Sequence, residues 1–230
     1  MNRFAFAFLA PAALAQSLIV GIPSTDVSPK GEITLAHESQ GNVFANRTPY
    51  WNSFTFGTYG IGNGVELAGS LYGWSRPSGG ELSFGAGFKK RWAPKTRFSD
   101  RWEFRTAVGT MLPLSFRGNG LGNWTYGLAS VRVPRSKTRL TAGPSFGTRQ
   151  IFGRTTFHAL VGVEQPISKN VSWVNDWYTG THDLGSAITA ISWMPRKELL
   201  IIAGWKFANN ARSGKPAAML EVTYFFHPKK

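Results

Sequence analysis

Cysteine is absent from this 230-residue chain, and acidic residues are scarce: 12 Asp and Glu stand against 26 Lys and Arg, which leaves a formal net charge of +14. Without cysteine there is no disulfide framework, so an exported chain of this length must gain stability from another source, such as closure of a sheet. Four scattered histidines without cysteine also lack the ligand spacing of a metal site. We therefore expect no metal and no cofactor.

Long hydrophobic runs are missing beyond the N-terminus. The densest later run, residues 199–203, is far shorter than the roughly 20 apolar residues with which a helix crosses a bilayer. Residues 1–15 differ, because Arg3 precedes an apolar run that ends in Ala13-Leu14-Ala15. This pattern is typical of a secretory signal peptide, and we predict cleavage before Gln16. Because the chain is exported, its excess of basic residues indicates lipid headgroups or an anionic solute as partners rather than nucleic acid.

Short segments with strand periodicity are abundant. The composition is 42% hydrophobic and 14% aromatic with 26 glycines, and helical periodicity is weak, which favours an all-β class. In residues 218–226 every second residue is apolar, as in a strand with one apolar face. Twelve strands are predicted, most of them near the roughly 9–11 residues that cross a membrane at a tilt. They are residues 31–40, 51–61, 65–74, 81–91, 102–116, 124–133, 139–147, 154–165, 171–179, 187–193, 199–207 and 217–226.

The last strand ends in the aromatic cluster Tyr224-Phe225-Phe226. It resembles the closing strand of bacterial outer-membrane β-barrels, which is also the recognition tag for the barrel assembly machinery. Residues 22–31 similarly resemble the entry to the first strand in a group of uncharacterised exported barrels. These resemblances imply an antiparallel transmembrane barrel in the outer membrane, with twelve strands or, as the alternative, ten. Within it, residues 16–30 are expected to form a periplasmic lead-in, residues 31–226 the barrel and residues 227–230 a short basic tail.

The connections between the predicted strands alternate in chemistry. Gly62-Asn63-Gly64 is a tight hairpin turn, and several later turns combine proline with a basic residue. The other connections are mostly rich in Gly, Asn and Ser. We assign the short turns to the periplasmic side. An even number of strands then places both termini on that side.

Charged residues occupy the parity opposite to the apolar stripes, and so are predicted to face the lumen. A twelve-stranded barrel is intermediate between a filled interior and an aqueous channel. The charges could therefore pair into a salt-bridged plug or line a wet pore. The candidate lumen residues are Glu66, Glu81, Lys89, Arg91, Glu103, Arg105, Arg154, His158, Glu164, Lys206 and Glu221.

Three functions fit this pattern. The first is a narrow porin-like channel for small solutes, with a preference for anions because basic groups predominate. The second is a structural or lipid-associated barrel with a plugged lumen and no transport. The third is a surface lipid hydrolase: His37 and Ser39 share one strand face, and this spacing resembles the His-x-Ser pair of twelve-stranded outer-membrane phospholipases. Because the sequence shows neither an oriented base nor an oxyanion site, we expect no enzyme. The expected partners are outer-membrane lipid, lipopolysaccharide and the assembly machinery.

Overall fold

A computed structural model of the chain describes residues 18–42, 50–75, 82–95, 101–115, 120–182, 184–210 and 215–227. Twelve strands form one closed antiparallel barrel in the described residues, in which each strand pairs with its neighbours along the chain and the first strand pairs with the last. This confirms the predicted fold class and strand count. The strands are β1 (Ile33–Asn42), β2 (Tyr50–Gly62), β3 (Val65–Ser75), β4 (Leu82–Trp92), β5 (Arg105–Ser115), β6 (Trp124–Arg132), β7 (Arg139–Gly147), β8 (Phe157–Pro166), β9 (Val171–Tyr178), β10 (Ser186–Arg196), β11 (Leu199–Ala208) and β12 (Ala217–Phe226).

The closing contact joins β1 to β12 over nine residue pairs, from Ile33 opposite Phe226 to Gly41 opposite Ala218. Closure pairs the backbone groups that an edge strand would otherwise expose to lipid. Four connections at one end of the barrel are short, namely residues 63–64, 133–138, 167–170 and 197–198. We call this the hairpin end and the opposite end the loop end. The first residue of β1, Ile33, lies opposite Phe226 of β12 and Tyr59 of β2, so β1 begins and β12 ends at the hairpin end.

The outer surface carries an apolar belt. Side chains of alternate strand residues, such as Leu67, Phe88 and Val108, are between 46% and 50% exposed although they are large and apolar. Exposed aromatic residues border the belt at the hairpin end (Tyr59, Trp92, Trp173, Trp193 and Tyr224) and at the loop end (Phe146, Phe157, Trp177 and Phe207). Such girdles mark the two interfaces of a bilayer in transmembrane barrels. No helix in the described ranges is long and apolar enough to cross a membrane.

Two strands begin later than the sequence pattern predicts. β5 begins at Arg105 rather than at residue 102, because Glu103 has a φ of 44° and cannot continue an extended strand. β8 begins at Phe157 rather than at residue 154, because a four-residue helix, α1 (Arg149–Phe152), and a turn at Gly153 precede it. Glu103 and Arg154 therefore lie in connections and not on strands.

The expected periplasmic lead-in is wrong for residues 18–30. These residues lie inside the barrel, where Val20, Ile22 and Thr25 have no exposed surface. We call residues 18–30 the N-terminal segment. The predicted signal peptide, residues 16 and 17, and residues 228–230 of the predicted tail lie outside the described residues.

Candidate functional site: the barrel lumen

The N-terminal segment enters the lumen at the hairpin end beside β2. There the Gly31 N–H donates to the carbonyl of Gly60 over 2.8 Å, and the Gly60 N–H donates to the carbonyl of Glu32 over 3.0 Å. A Cβ atom at position 60 would lie 1.8 Å from the carbonyl oxygen of Pro29. Only glycine leaves room for the segment to pass this close to the inner face of β2.

The tip of the segment is a tight turn held by one carboxylate. The backbone N–H groups of Val20, Gly21 and Ile22 donate to Oδ2 of Asp176 over 3.0, 2.7 and 3.1 Å. Asp176 projects inward from β9 and is buried. Successive backbone N–H groups that converge on an anion form a nest, so the turn and Asp176 satisfy one another in the low dielectric of the lumen.

Apolar side chains seat the same turn against the wall formed by β8, β9 and β10. Ile19 and Ile22 belong to the buried cluster that also contains Leu160, Val174 and Ile188. Gly162 lies beneath them, since a Cβ there would be 2.3 Å from Cδ1 of Ile19. Burial of a side chain of this size contributes roughly 1.5–3 kcal/mol relative to exposure. The tip is therefore packed in a manner similar to a protein core.

The middle of the segment is attached by hydrogen bonds. The hydroxyl oxygens of Thr25 and Ser130 lie 2.6 Å apart. The Ser28 N–H donates to Oε2 of Glu66 over 2.7 Å, and the Ser28 hydroxyl lies 2.7 Å from that of Thr58. These contacts come from three different strands, so the segment is fixed across the width of the lumen.

A cluster of cations on four adjacent strands lines the lumen near the hairpin end. We call it the basic wall; it consists of Lys89 and Arg91 on β4, Arg105 on β5, Arg132 on β6 and Arg139 on β7. Among its members Lys89 and Arg139 are buried, and the other three are partly accessible.

Asp26 of the N-terminal segment is bound by two members of the basic wall. Its Oδ1 accepts a hydrogen bond from Nη1 of Arg105, and its Oδ2 accepts one from Nη1 of Arg139. Burial alone would raise the pKa of Asp26, but the guanidinium groups of Arg139 and Arg105 outweigh burial and lower that pKa to about 2. The segment therefore carries a fixed negative charge into the lumen.

Two carboxylates on the strands, Glu66 and Glu164, pair with cations of the basic wall. Lys89 Nζ lies 3.1 Å from Oε1 of Glu66, its register partner on β3. Glu164 is the register partner of Arg139 and accepts from both its Nε and its Nη2, the latter over 2.6 Å. These cross-strand pairs satisfy charges that would be costly to bury alone.

Glu103 reaches the basic wall from the connection before β5. Its Oε2 lies 3.3 Å from Arg132 Nη1 and 3.7 Å from Arg105 Nη2. The carboxylate is 39% exposed, so water screens these two interactions. Glu103 thus contacts lumen cations although it does not lie on a strand.

Acidic groups occupy the opposite side of the lumen. Glu38 on β1 and Glu221 on β12 are register partners, and both are buried. Lys206 Nζ donates to Oε1 of Gln40 over 3.1 Å in the same area, and the Thr223 hydroxyl donates to Glu221 over 2.7 Å. The cations of the basic wall thus lie on β4–β7, whereas the buried carboxylates Glu38, Asp176 and Glu221 lie on β1, β9 and β12, with Lys206 of β11 near Glu38.

Aromatic and imidazole rings pack at the loop end. The rings of His158 and His182 are 4.2 Å apart, and Phe152 of α1 lies 5.0 Å from His158 and 4.9 Å from His182. Tyr178 completes the group, with its hydroxyl 2.7 Å from that of Ser145. Burial and the neighbouring His158 lower the pKa of His182, which lies in a connection outside the strands, to about 4.

The candidate lumen residues fall into separate places. Glu66, Lys89, Arg105 and Glu164 belong to the ion pairs around the N-terminal segment, and Arg91 faces the lumen next to them on β4. Lys206 and Glu221 lie on the acidic side and His158 at the loop end. Arg154 is exposed in the connection before β8, which corrects its assignment to the lumen. Glu81 lies outside the described residues.

Sequence reasoning missed Asp26, Arg132, Arg139 and Asp176. Arg139 could have been found, because Leu140 and Phe146 define the outer parity of β7 and Arg139 has the other parity. Asp176 could not, since β9 carries large residues on both faces. Asp26 had no periodicity to place it, because the N-terminal segment is not a strand.

His37 and Ser39, which the His-x-Ser spacing singled out, lie on the outer face of β1 together with Thr55 of β2. His37 Nδ1 lies 2.7 Å from the Thr55 hydroxyl, and His37 Nε2 lies 3.3 Å from the Ser39 hydroxyl. No group of three or more His, Cys, Asp or Glu side chains in the described part of the chain could hold a metal ion.

Comparison with known proteins gives structural matches only. No protein-family model matches the chain, and no curated protein matches it in sequence. Among solved structures, KdgM porin is similar over 85% of this chain and 99% of its own, with 12% identity and a TM-score of 0.60. The chain has the fold of an outer-membrane barrel.

Two further structures agree. KdgM porin in complex with disordered oligogalacturonate matches with 13% identity over 85% of this chain and 99% of its own, at a TM-score of 0.57. An outer-membrane channel from Pseudomonas putida F1 matches with 9% identity over 87% of this chain and 97% of its own, at a TM-score of 0.51. At these identities the likeness is one of fold. The similar outer-membrane barrels are porins and channels, and the apolar belt of this barrel suits the same membrane.

Proposed function

We propose that this outer-membrane barrel is a narrow channel for small solutes with a preference for anions. The observation that carries the proposal is the basic wall, which places five cations on four adjacent strands inside a closed barrel. Charged rings and clusters inside a pore set its ion preference, because they act where the dielectric is low and the path is narrow. The porin fold supports the same function.

The N-terminal segment determines how narrow the channel is. It crosses the lumen from β2 to β9, and the inward side chains that it contacts on the way, Thr58, Glu66 and Asp176, are buried. On β3 and β5 the inward-facing Ser70 and Met111 are only partly buried. We infer that solutes pass between this side of the lumen and the segment, beside the basic wall.

Conductance of purified protein in planar bilayers tests the proposal. We expect small conductance steps in KCl and a reversal potential, under a salt gradient, of the sign that indicates chloride preference. Arg91→Gln should weaken that preference, whereas Arg154→Gln, which removes the same charge from an exposed position, should not. Protein that inserts without conductance above background in any salt would instead favour the structural barrel with a plugged lumen.

A second candidate function is supported by the contacts of His37. With its proton on Nδ1, His37 would donate to Thr55 and leave Nε2 to accept from the Ser39 hydroxyl. This is the order nucleophile, base and orienting group that ester hydrolysis uses. The three side chains lie on the outer face of β1 and β2, beside the exposed Leu35, so the substrate would be an acyl ester of the surrounding lipid.

Release of a fluorescent fatty acid from labelled phospholipid vesicles tests the second candidate. Ser39→Ala and His37→Ala should abolish release. Ser53→Ala is the matched control, because Ser53 is the register partner of Ser39 on the same face. Release that persists in all three variants, or is absent from the wild-type protein, would reject the hydrolase.

A further inference from the structure

We propose that Arg105 and Arg139 form a binding site for the carboxylate of a small anionic solute, and that Asp26 of the N-terminal segment is the displaceable group that occupies it. This inference rests on the proposed channel function and adds to it a ligand chemistry, a location and a competitor within the chain.

The geometry around Asp26 is that of a bound carboxylate. Each of its two oxygens accepts a hydrogen bond from a different guanidinium, Oδ1 from Arg105 and Oδ2 from Arg139. Charge-assisted hydrogen bonds of this kind are stronger than neutral ones. A solute carboxylate would present the same two oxygens to the same two donors.

Arg139 is positioned without the help of Asp26. Its Nε and Nη2 are both engaged by Glu164 across the β7–β8 pair, which leaves Nη1 directed at Asp26. Arg105 lies on β5, two strands from Arg139 on β7, and its side chain is 21% exposed, so water and solute can reach it. The site is therefore already arranged for an anion, which lowers the ordering cost of binding.

The tip of the N-terminal segment is packed like a core, but within the described residues the segment is not paired with any strand of the wall, so its displacement does not require the sheet to open. Its tip is closed on itself by a hydrogen bond of 2.7 Å from the Ile19 N–H to the Ile22 carbonyl and by the bridge between Leu18 and Pro23. Between residues 18 and 28, the contacts described with the wall are side-chain contacts and hydrogen bonds rather than strand pairing. The turn can thus leave as one unit while the barrel ladder stays intact.

Removal of Asp26 also changes the charge of the site. With Asp26 gone, the nearest described carboxylate to Arg105 is Glu103 at 3.7 Å, and Glu103 is shared with Arg132. The positive potential at the site then rises, which favours entry of an anion from the hairpin end.

A reversible tether tests whether the segment is displaced. The hydroxyl oxygens of Thr25 and Ser130 are 2.6 Å apart and the chain contains no cysteine, so T25C combined with S130C offers the only thiol pair. Uptake of radiolabelled gluconate and of glucose into proteoliposomes is measured before and after reduction. We expect low uptake of gluconate when the pair is oxidised and recovery on reduction, with no redox effect in either single-cysteine variant. Equal gluconate uptake in the oxidised and reduced states would overturn the displacement.

A second set of variants tests the carboxylate site. Asp26→Asn removes the competing charge and keeps the side-chain shape; we expect gluconate uptake to rise. In that background Arg105→Gln should lower the gluconate-to-glucose uptake ratio roughly tenfold, as expected for the loss of a charge-assisted hydrogen bond. Lys206→Gln is the matched control, because it removes a lumen charge from the acidic side, and it should leave the ratio unchanged.

The outcomes separate the two proposals. If no variant, including Asp26→Asn, passes gluconate, glucose or chloride, the proposed channel is wrong. If the variants conduct chloride and pass solutes but Arg105→Gln leaves the gluconate-to-glucose ratio unchanged, the channel stands and the carboxylate site is wrong. A ratio that falls equally in Lys206→Gln would also reject the site, since general lumen charge would then explain the preference.

Discussion

The carbonyl oxygen of Pro29 lies 1.8 Å from the position that a Cβ atom would take at Gly60. The barrel wall and the N-terminal segment are therefore fitted to one another at this point, because any other residue at position 60 would have to push the segment away from β2. Pro29 and Gly60 are also linked through Glu32, whose N–H donates to Pro29 and whose carbonyl accepts from Gly60.

Gly60→Ala should accordingly loosen the N-terminal segment without opening the barrel. Thr25 has no exposed surface, so a reporter cysteine at this position (T25C) should react slowly with a maleimide when Gly60 is present. In the double variant that also carries Gly60→Ala, the same cysteine should react at least several-fold faster. Gly127→Ala is the control, since a Cβ there meets nothing within 4 Å. Equal labelling rates in the three backgrounds would show that the segment does not depend on the gap at Gly60.

Arg139→Gln should destabilise the barrel strongly. Arg139 joins Asp26 and Glu164 in a buried position, and removal of one partner from such a pair costs roughly 3–5 kcal/mol because the remaining charges stay buried. The urea concentration at half unfolding, read from heat-modifiable migration on detergent gels, measures the effect. Arg154→Gln should leave that midpoint unchanged, as Arg154 is exposed. A midpoint for Arg139→Gln equal to that of the wild type would contradict the buried network.

Leu71→Lys and Ser70→Lys should separate the two faces of β3. Leu71 is 45% exposed on the apolar belt, so a lysine there meets lipid and should cost roughly 2–4 kcal/mol if it lies near the midplane. Ser70 has the opposite parity, and a lysine there points into the lumen. Folding yield into detergent-free vesicles should fall for Leu71→Lys and much less for Ser70→Lys. The reverse order would invert the proposed orientation of the strand.

Acid should weaken the cluster at the loop end through His182. In the folded protein its pKa is lowered to about 4, against 6.5 for an ordinary histidine, because the ring is buried and faces His158. Between pH 6.5 and 4, His182 is therefore protonated in the unfolded chain but remains neutral in the folded protein. The contribution of His182 to stability is complete above pH 6.5, declines as the pH falls toward 4 and changes no further below that.

Unfolding midpoints measured at pH 7, 5.5 and 4 test this prediction. His182→Gln should reduce the loss of stability over that range, because glutamine does not titrate and can still donate to the Thr179 carbonyl that His182 contacts. Identical pH profiles for His182→Gln and the wild type would remove His182 as the cause.

Much of the wall could be predicted from the sequence. A strand with one face in lipid must alternate, so residues such as Phe84, Phe88 and Leu112 define the outer parity, and their neighbours must point inward. The inward positions of Glu66 and Lys89 follow from that parity alone. The same parity wrongly places Glu103 and Arg154 on strands. The alternating pattern does not reveal that α1 precedes β8 or that Glu103 has a positive φ, so the true starts of β8 and β5 could not be predicted.

The contents of the lumen could not be predicted in the same way. The N-terminal segment has no repeating pattern, and its partners lie far away along the chain: Asp26 meets Arg139, and Ile19 packs over Gly162. Such long-range contacts leave no pattern in the sequence near either partner, so they cannot be recognised from the sequence. The sequence by itself determined an alternating, closed sheet with an apolar outside, because lipid allows few other arrangements. Only the tertiary structure decided that the chain's own N-terminal segment fills that sheet and places Asp26 between two arginines, because that choice depends on shape and charge matched across the barrel.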